Sequence, residues 1–299
     1  MVSIFNFLPR RTSTGAIKSS AKQFLTTAGV VMDRREKLLC DIDVAGRVGV
    51  EIGALCRPLV TRQDGRVFYV DHADTATLRE KYRVDPDVDL DALVDVDAVW
   101  GERPLAEALE ERVDYVVASH VVEHVPDLIS WLGELASILR PGGEIRLAIP
   151  DRRFTFDYLR RETRLNDVVY AHMMRARTPL PHIVLDYVLN VVKVDGGAAW
   201  RGALQAETLE RHHSLAHAMA CAAQAMDGIY HDVHCWVFTP STFADLMVDL
   251  ASHGLAVFEC TQFFDTASMT IEFFVGLRPT ADRDAAVMSW KAMRKACAK

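Results

Sequence analysis

The sequence predicts a doubly wound α/β fold: a mostly parallel seven-stranded sheet with an antiparallel last strand, interrupted by a helical lid insertion. Three observations predict it. From about residue 46 short β-branched runs alternate with helix-length segments, the pattern of a parallel sheet covered by helices. The alternation stops at Pro150 and gives way to a long helical stretch. Two final strand-like runs lie close enough in sequence to pair antiparallel.

Taken in order, the chain opens with an expected helical arm over 1–40. Strands are expected at Arg47 to Ile52, Arg66 to Asp71, Leu93 to Val96, Val113 to Ala118 and Glu144 to Ile149, each followed by polar or Gly/Pro punctuation. In SHVVEHVPDLISWLGELASILRPGGE, Ile129, Leu132, Leu135, Ala136 and Leu139 fall at helical spacing, and Pro141-Gly142-Gly143 closes that helix before the next strand. Residues 151–235 read as a mostly helical insertion rich in Arg and His, broken at Thr178-Pro179, Pro181 and Gly196-Gly197. Thr239-Pro240-Ser241-Thr242 starts a helix with Phe243, Leu246, Met247 and Leu250 on one face, and His253-Gly254 ends it. Strands at Ala256 to Phe263 and Thr270 to Leu277 and a C-terminal helix within 281–299 complete the chain, so the sheet is assembled from 41–150 and 236–280.

With 299 residues, 50% hydrophobic and 25% charged, the chain can bury one large core. A formal net charge of -7 gives no general attraction to phosphate backbones or anionic lipid, so no nucleic-acid partner is expected. The six cysteines are scattered without a CxxC pair, as where thiols stay reduced, which points to a cytoplasmic protein. The early IFNFL stretch carries its charges after it and no signal-type cleavage site, and no run reaches the roughly 20 apolar residues of a membrane span.

In open α/β sheets a ligand sits outside the carboxyl ends of the strands, near the switch point of the winding. After the first expected strand stand Glu51 and Gly53, where a glycine admits close backbone approach and a carboxylate accepts from an ammonium or hydroxyl; a plain tight turn is the alternative. Asp71 follows about 20 positions on, placed to accept both hydroxyls of a ribose, or else, like Asp74, to cap a helix. Asp95 and Asp97 follow the third expected strand, where a carboxylate could accept from an adenine amino group beside the Ala98 amide, or be a solvated loop charge.

The segment VDYVVASHVVEHVPDLISWLGELASILRPGGEIRLAIPD resembles the central stretch of class I S-adenosylmethionine-dependent methyltransferases of the type-11 kind. There a strand is followed by an S/H-x-x-E-H segment, a helix, a PGG turn and the next strand. The resemblance implies a Rossmann-like sheet with S-adenosylmethionine as cofactor. It implies that Glu51, Gly53 and Ala54 hold the methionine part, Asp71 the ribose, and Asp97 with Ala98 the adenine, while Ser119 and His120 close the pocket and His72 belongs to the cofactor site. One departure is clear: of the family's G-x-G-x-G turn only Gly53 remains, so Ala54-Leu55-Cys56-Arg57-Pro58 must take another path. YVDHAD, PDRRFTFDYLRRET and YHDVHCWVFTP further resemble bacterial methyltransferases of polysaccharide and glycan gene clusters, which implies a sugar hydroxyl of a glycan, polysaccharide or nucleotide sugar as acceptor.

Methyl transfer to a hydroxyl needs alignment, exclusion of water and a base. Asp151, directly after the fifth expected strand, and His231 and His234 in the Tyr-His-Asp-x-His-x-Trp string are the candidates. A helix cap or an ion pair with Arg152 or Arg153 is the structural alternative for Asp151, and a hydrogen bond tying the insertion to the core is that for the histidines. A metal bound by His231, Asp232 and His234 is a third reading; with no second ligand group at recognisable spacing, no metal is expected. His213 and His217 are expected one turn apart on a helix face, and Glu123-His124 as a pair near the pocket. The string RRFTFDYLRRETR lines a channel for an anionic acceptor or forms an amphipathic helix with a solvated basic face. The rivals to glycan O-methylation are methylation of a small metabolite and a non-catalytic cofactor-binding scaffold serving a glycosyltransferase partner.

Overall fold

A computed structural model describes residues 32–101 and 103–297. The expected arm therefore lies mostly outside the described residues, and within them only helix α1 (Arg34–Leu38) belongs to it. The strands are β1 (Val48–Ile52), β2 (Arg66–Asp71), β3 (Ala98–Val99), β4 (Val113–Ser119), β5 (Leu139–Pro150), β6 (Phe258–Phe264) and β7 (Glu272–Pro279). Among the described residues they form one sheet in the order β3-β2-β1-β4-β5-β7-β6, with β7 antiparallel to both its neighbours and the other pairings parallel. The winding reverses between β1 and β4, which is where a doubly wound sheet opens its ligand crevice.

The helices are α2 (Thr75–Lys81), α3 (Leu105–Ala108), α4 (Leu128–Ile138), α5 (Leu165–Met173), α6 (Pro181–Asn190), α7 (Gly196–Trp200), α8 (Leu215–Met226), α9 (Pro240–His253) and α10 (Arg283–Ala296). Period-two alternation sends strand side chains into two layers. Val50, Ile52, Val116, Ala118, Leu147 and Ile149 join Leu128, Leu132 and Leu135 of α4 in the larger core. Tyr69, Tyr115, Val117 and Ala148 pack with Leu38, Leu59 and Val60 on the other face. Helix α9 is bounded as its residues dictate: Thr239 accepts from the Thr242 amide at the start, and Gly254 takes φ 69° at the end. None of the helices among the described residues is long and apolar enough to cross a membrane.

Four sequence expectations need correction. Leu93 to Val96 is not a strand: the Val94 and Val96 amides donate to Leu55 O and Thr75 Oγ1, loop partners rather than β2, and the pairing residues are Ala98 and Val99. Pro141-Gly142-Gly143 does not separate helix from strand, because α4 gives way directly to β5 and the triplet sits inside it, where the register against β4 shifts. His213 precedes the Ser214 cap of α8, so only His217 is helical, although the two rings lie 4.9 Å apart. The string 152–164 is not an amphipathic helix. It begins with a 3-10 turn at Arg152–Phe154; Arg153 and Arg160 bond inward, to Asp151 and to Asp157 and Asp186, while Arg161 pairs with Asp167 at the surface.

Candidate active site

Gly53 leaves β1 with φ 69°, a left-handed conformation natural to glycine, and a Cβ there would stand 3.0 Å from Val121 Cγ2. The missing glycines are replaced by two devices. Leu55 also enters the left-handed region, at φ 48°, and the buried Glu51 carboxylate accepts the Leu59 amide at 2.8 Å and the Val60 amide at 3.0 Å. Glu51 thus closes the loop after β1 from below, and both of its oxygens are spent on backbone. Burial pushes its carboxyl up to about 7 against the pull of those two amides. Ala54 is buried beside it.

Asp71 ends β2 with Oδ1 engaged by the His72 amide at 2.7 Å and by His72 Nδ1 at 2.6 Å, while no hydrogen bond among the described residues reaches Oδ2. Asp97 is placed differently from the sequence reading. It stands at the amino end of β3, before Ala98, and its carboxylate accepts the Tyr69 amide at 2.7 Å and Arg62 Nη2 at 2.8 Å. A carboxylate there clamps β3 to β2, and the residues beyond the carboxyl end of β3 are Trp100 and Gly101.

Two polar chains start at the carboxyl ends and converge on Glu123 and His124. In the first, Arg34 of α1 donates to Ser119 Oγ and, at 2.7 Å, to Glu272; Glu272 accepts His120 Nε2 at 2.8 Å, and His120 Nδ1 lies 3.5 Å from Glu123. His120 sits at φ 53° just past β4. Burial pulls its pKa down, but the Glu123 and Glu272 carboxylates outweigh that and raise it to about 9. In the second chain, His72 Nε2 lies 3.3 Å from Lys81 Nζ, Lys81 3.6 Å from Asp232, and Asp232 2.9 Å from His124 Nδ1. The His124 contact is the main cause that holds Asp232 down to about 2. This second chain carries the 230–234 string over the end of β2.

Asp151 is fully buried; Arg153 grips it with Nη2 at 2.6 Å and Nε at 3.0 Å, and the Thr266 hydroxyl donates at 2.8 Å. It also caps the 3-10 turn that follows β5, so its lone pairs are committed within the chain. His234 is buried with Nδ1 2.6 Å from Asp157 Oδ2, and Asp157 is shared with Arg160 at 2.9 Å. His231 differs: its Nε2 is buried and has no hydrogen-bond partner among the described residues. Trp236 is inaccessible, with Nε1 donating to Val125 O. Sequence reasoning missed Arg34, Glu272 and Asp157, because each acts through a partner at least 77 positions away.

The profile of a family described as "Methyltransferase domain" matches residues 48–257. No curated protein matches the chain by sequence. Among solved structures, the chain is similar to the CcbJ methyltransferase of Streptomyces caelestis at 13% identity, over 83% of this chain and 89% of that one, with a TM-score of 0.41. It is similar to magnesium protoporphyrin IX methyltransferase (ChlM) of Synechocystis PCC 6803 with bound SAM, at 10% identity over 82% and 76% of the chains with a TM-score of 0.35. A Rhodobacter sphaeroides structure described under Zn-dependent alcohol dehydrogenases is also similar, at 13% identity over 83% and 89% with a TM-score of 0.46. At such scores these likenesses carry no argument about function.

Proposed function

This chain belongs to the methyltransferase-domain family, and on that premise we propose that it moves the methyl group of S-adenosylmethionine to a hydroxyl of a sugar or glycan. The observation that carries the cofactor half of this reading is the pairing of Gly53 and Asp71 at the ends of β1 and β2, next to the switch point: one offers backbone without a Cβ, the other a carboxylate oxygen with no hydrogen-bond partner among the described residues. Gly53 and Ala54 would hold the methionine part, Asp71 the ribose, and Ser119 and His120 the floor below the sulfonium. Asp97, spent on Arg62 and Tyr69, is left out of this assignment, and Glu51 acts through the loop it closes.

The cofactor supplies a methyl group on a positive sulfur. The chain's part is to align the acceptor oxygen, keep water out and take one proton. Of the three candidate bases, His231 has an imidazole nitrogen without a hydrogen-bond partner among the described residues, whereas Asp151 and His234 are engaged by Arg153 and Asp157. We therefore assign the proton to His231. The helical segment carrying α5 to α8 serves as the acceptor lid in this reading. A sugar hydroxyl is supported by the glycan-cluster resemblance of YVDHAD, PDRRFTFDYLRRET and YHDVHCWVFTP.

Calorimetric titration with S-adenosylhomocysteine, with NAD as control, tests the cofactor. Binding of the first alone supports the reading, and binding of neither would leave a scaffold without a cofactor. A screen of nucleotide sugars and glycans against small metabolites, read as S-adenosylhomocysteine released, tests the acceptor.

A further inference from the structure

We propose that Glu123, His124 and His234 form a binding site for a divalent first-row transition-metal ion. One ligand atom from each of the three lies within 4.8 Å of the others, so small side-chain rotations would bring all three onto one ion at about 2.1 Å. Two imidazoles and one carboxylate suit zinc, iron or nickel rather than calcium or magnesium, whose shells are built of oxygen.

The carboxylate is the telling member. Glu123 is 0% exposed, and among the described residues neither oxygen makes a hydrogen bond and the one ion-pair contact is His120 Nδ1, at 3.5 Å. A carboxylate buried without hydrogen bonds is costly unless something with positive charge reaches it. The imidazoles are prepared as ligating histidines are. His234 Nδ1 hydrogen-bonds Asp157 at 2.6 Å, which leaves its Nε2 for an ion, while His124 Nδ1 faces Asp232 at 2.9 Å as an ion-pair contact without hydrogen-bond geometry among the described residues. Asp157 is in turn fixed by Arg160, and Asp232 faces Lys81. The backbone holds the trio together as well: the Cys235 and Trp236 amides both donate to Glu123 O, at 2.5 and 3.1 Å, which pins His234 beside Glu123 although 111 positions separate them. The His124 and His234 rings meet at 4.7 Å between centroids.

His124 is only partly buried, with a side chain 35% exposed, so an ion has a way in from solvent. Three protein ligands leave open positions, and these would take an oxygen of the acceptor; that last step rests on the methyltransferase reading, whereas the site itself does not.

The test is equilibrium dialysis of the purified full-length chain against zinc chloride, with bound metal counted by mass spectrometry and S-adenosylhomocysteine binding measured on the same samples. Wild type should hold zinc stoichiometrically. Glu123→Gln, nearly isosteric and relieved of a buried charge, should bind S-adenosylhomocysteine as wild type does while zinc binding weakens at least about tenfold. His217→Ala, which alters the exposed histidine group outside the trio, should keep its zinc. No stoichiometric zinc in wild type, or zinc retained in Glu123→Gln, overturns the site. Loss of zinc in His217→Ala with retention in Glu123→Gln would assign the metal to the surface and overturn it equally. Failure of S-adenosylhomocysteine to bind wild type would sink the methyltransferase reading and leave the zinc count to stand by itself.

Discussion

His234 and Asp157 meet through Nδ1 and Oδ2 at 2.6 Å, both buried, across 77 positions of sequence. The contact joins the segment after β5 to the one before α9, and Arg160, also buried, completes it. Burial opposes the Asp157 charge, but His234 and Arg160 outweigh that and hold its pKa below the usual carboxylate range. Removing the charge strands Arg160 with Asp186 alone. Asp157→Asn should therefore cost about 3–5 kcal/mol of stability, read from urea unfolding. An unchanged midpoint would show that the cluster is not under electrostatic tension.

Glu51 makes stability depend on pH. Its carboxyl has a pKa of about 7 in the fold, against an ordinary value of 4.5. A raised folded pKa means that its contribution is complete below about 4.5 and is lost as pH climbs through about 7, because the unfolded chain gives up the proton first. The loss from this group is at most about 3 kcal/mol. Unfolding measured from pH 5 to 8 should show stability falling with pH, and Glu51→Gln should flatten that slope whatever its absolute effect. An equal slope in both proteins would assign the dependence to other groups.

The sheet was legible because its signals are local. Residues 66–71 read directly as β2, and Thr239 with Gly254 marked the ends of α9. β3 was misread because a two-residue edge strand carries no periodicity, and the apolar stretch before it is loop, with Leu93 buried and Val94 packed against the smaller core. The error then moved Asp97 from the amino end of that strand to its carboxyl end, and with it the adenine assignment. Charge pairing was less legible still. Nothing local in the string 152–164 tells that Arg160 is buried, since its partner Asp186 comes from α6. The same holds for Glu123, whose neighbours in space come from the 232–236 segment.

Gly53 is a position where conformation and, on the proposed assignment, ligand approach make one demand. At φ 69° an alanine is strained by about 1–2 kcal/mol, and its Cβ would also press on Val121 Cγ2 at 3.0 Å. Gly53→Ala should lower the unfolding free energy by that amount and also weaken S-adenosylhomocysteine, because the methyl group stands where the cofactor's methionine part would lie. Strain without any loss of affinity would mean that the cofactor does not approach this backbone.

Asp71 and Asp97 provide a matched pair, both aspartates beside the β2–β3 edge but at opposite ends of β3. On the proposed assignment Asp71 Oδ2 accepts from a ribose, so Asp71→Ala should weaken S-adenosylhomocysteine by about 1.5–3 kcal/mol, the range for hydrogen bonds to a charged group. Asp97 holds the Tyr69 amide and Arg62, so Asp97→Ala should leave the affinity unchanged and lower stability instead. That stability loss is expected to be no more than about 1–3 kcal/mol, since the Tyr69 amide loses its acceptor while Arg62 can return to water. Calorimetry and urea unfolding on both variants separate the two roles. If Asp97→Ala loses affinity and Asp71→Ala does not, the ligand lies at the other end of β3, and the assignment of Gly53 and Asp71 to the cofactor fails with it.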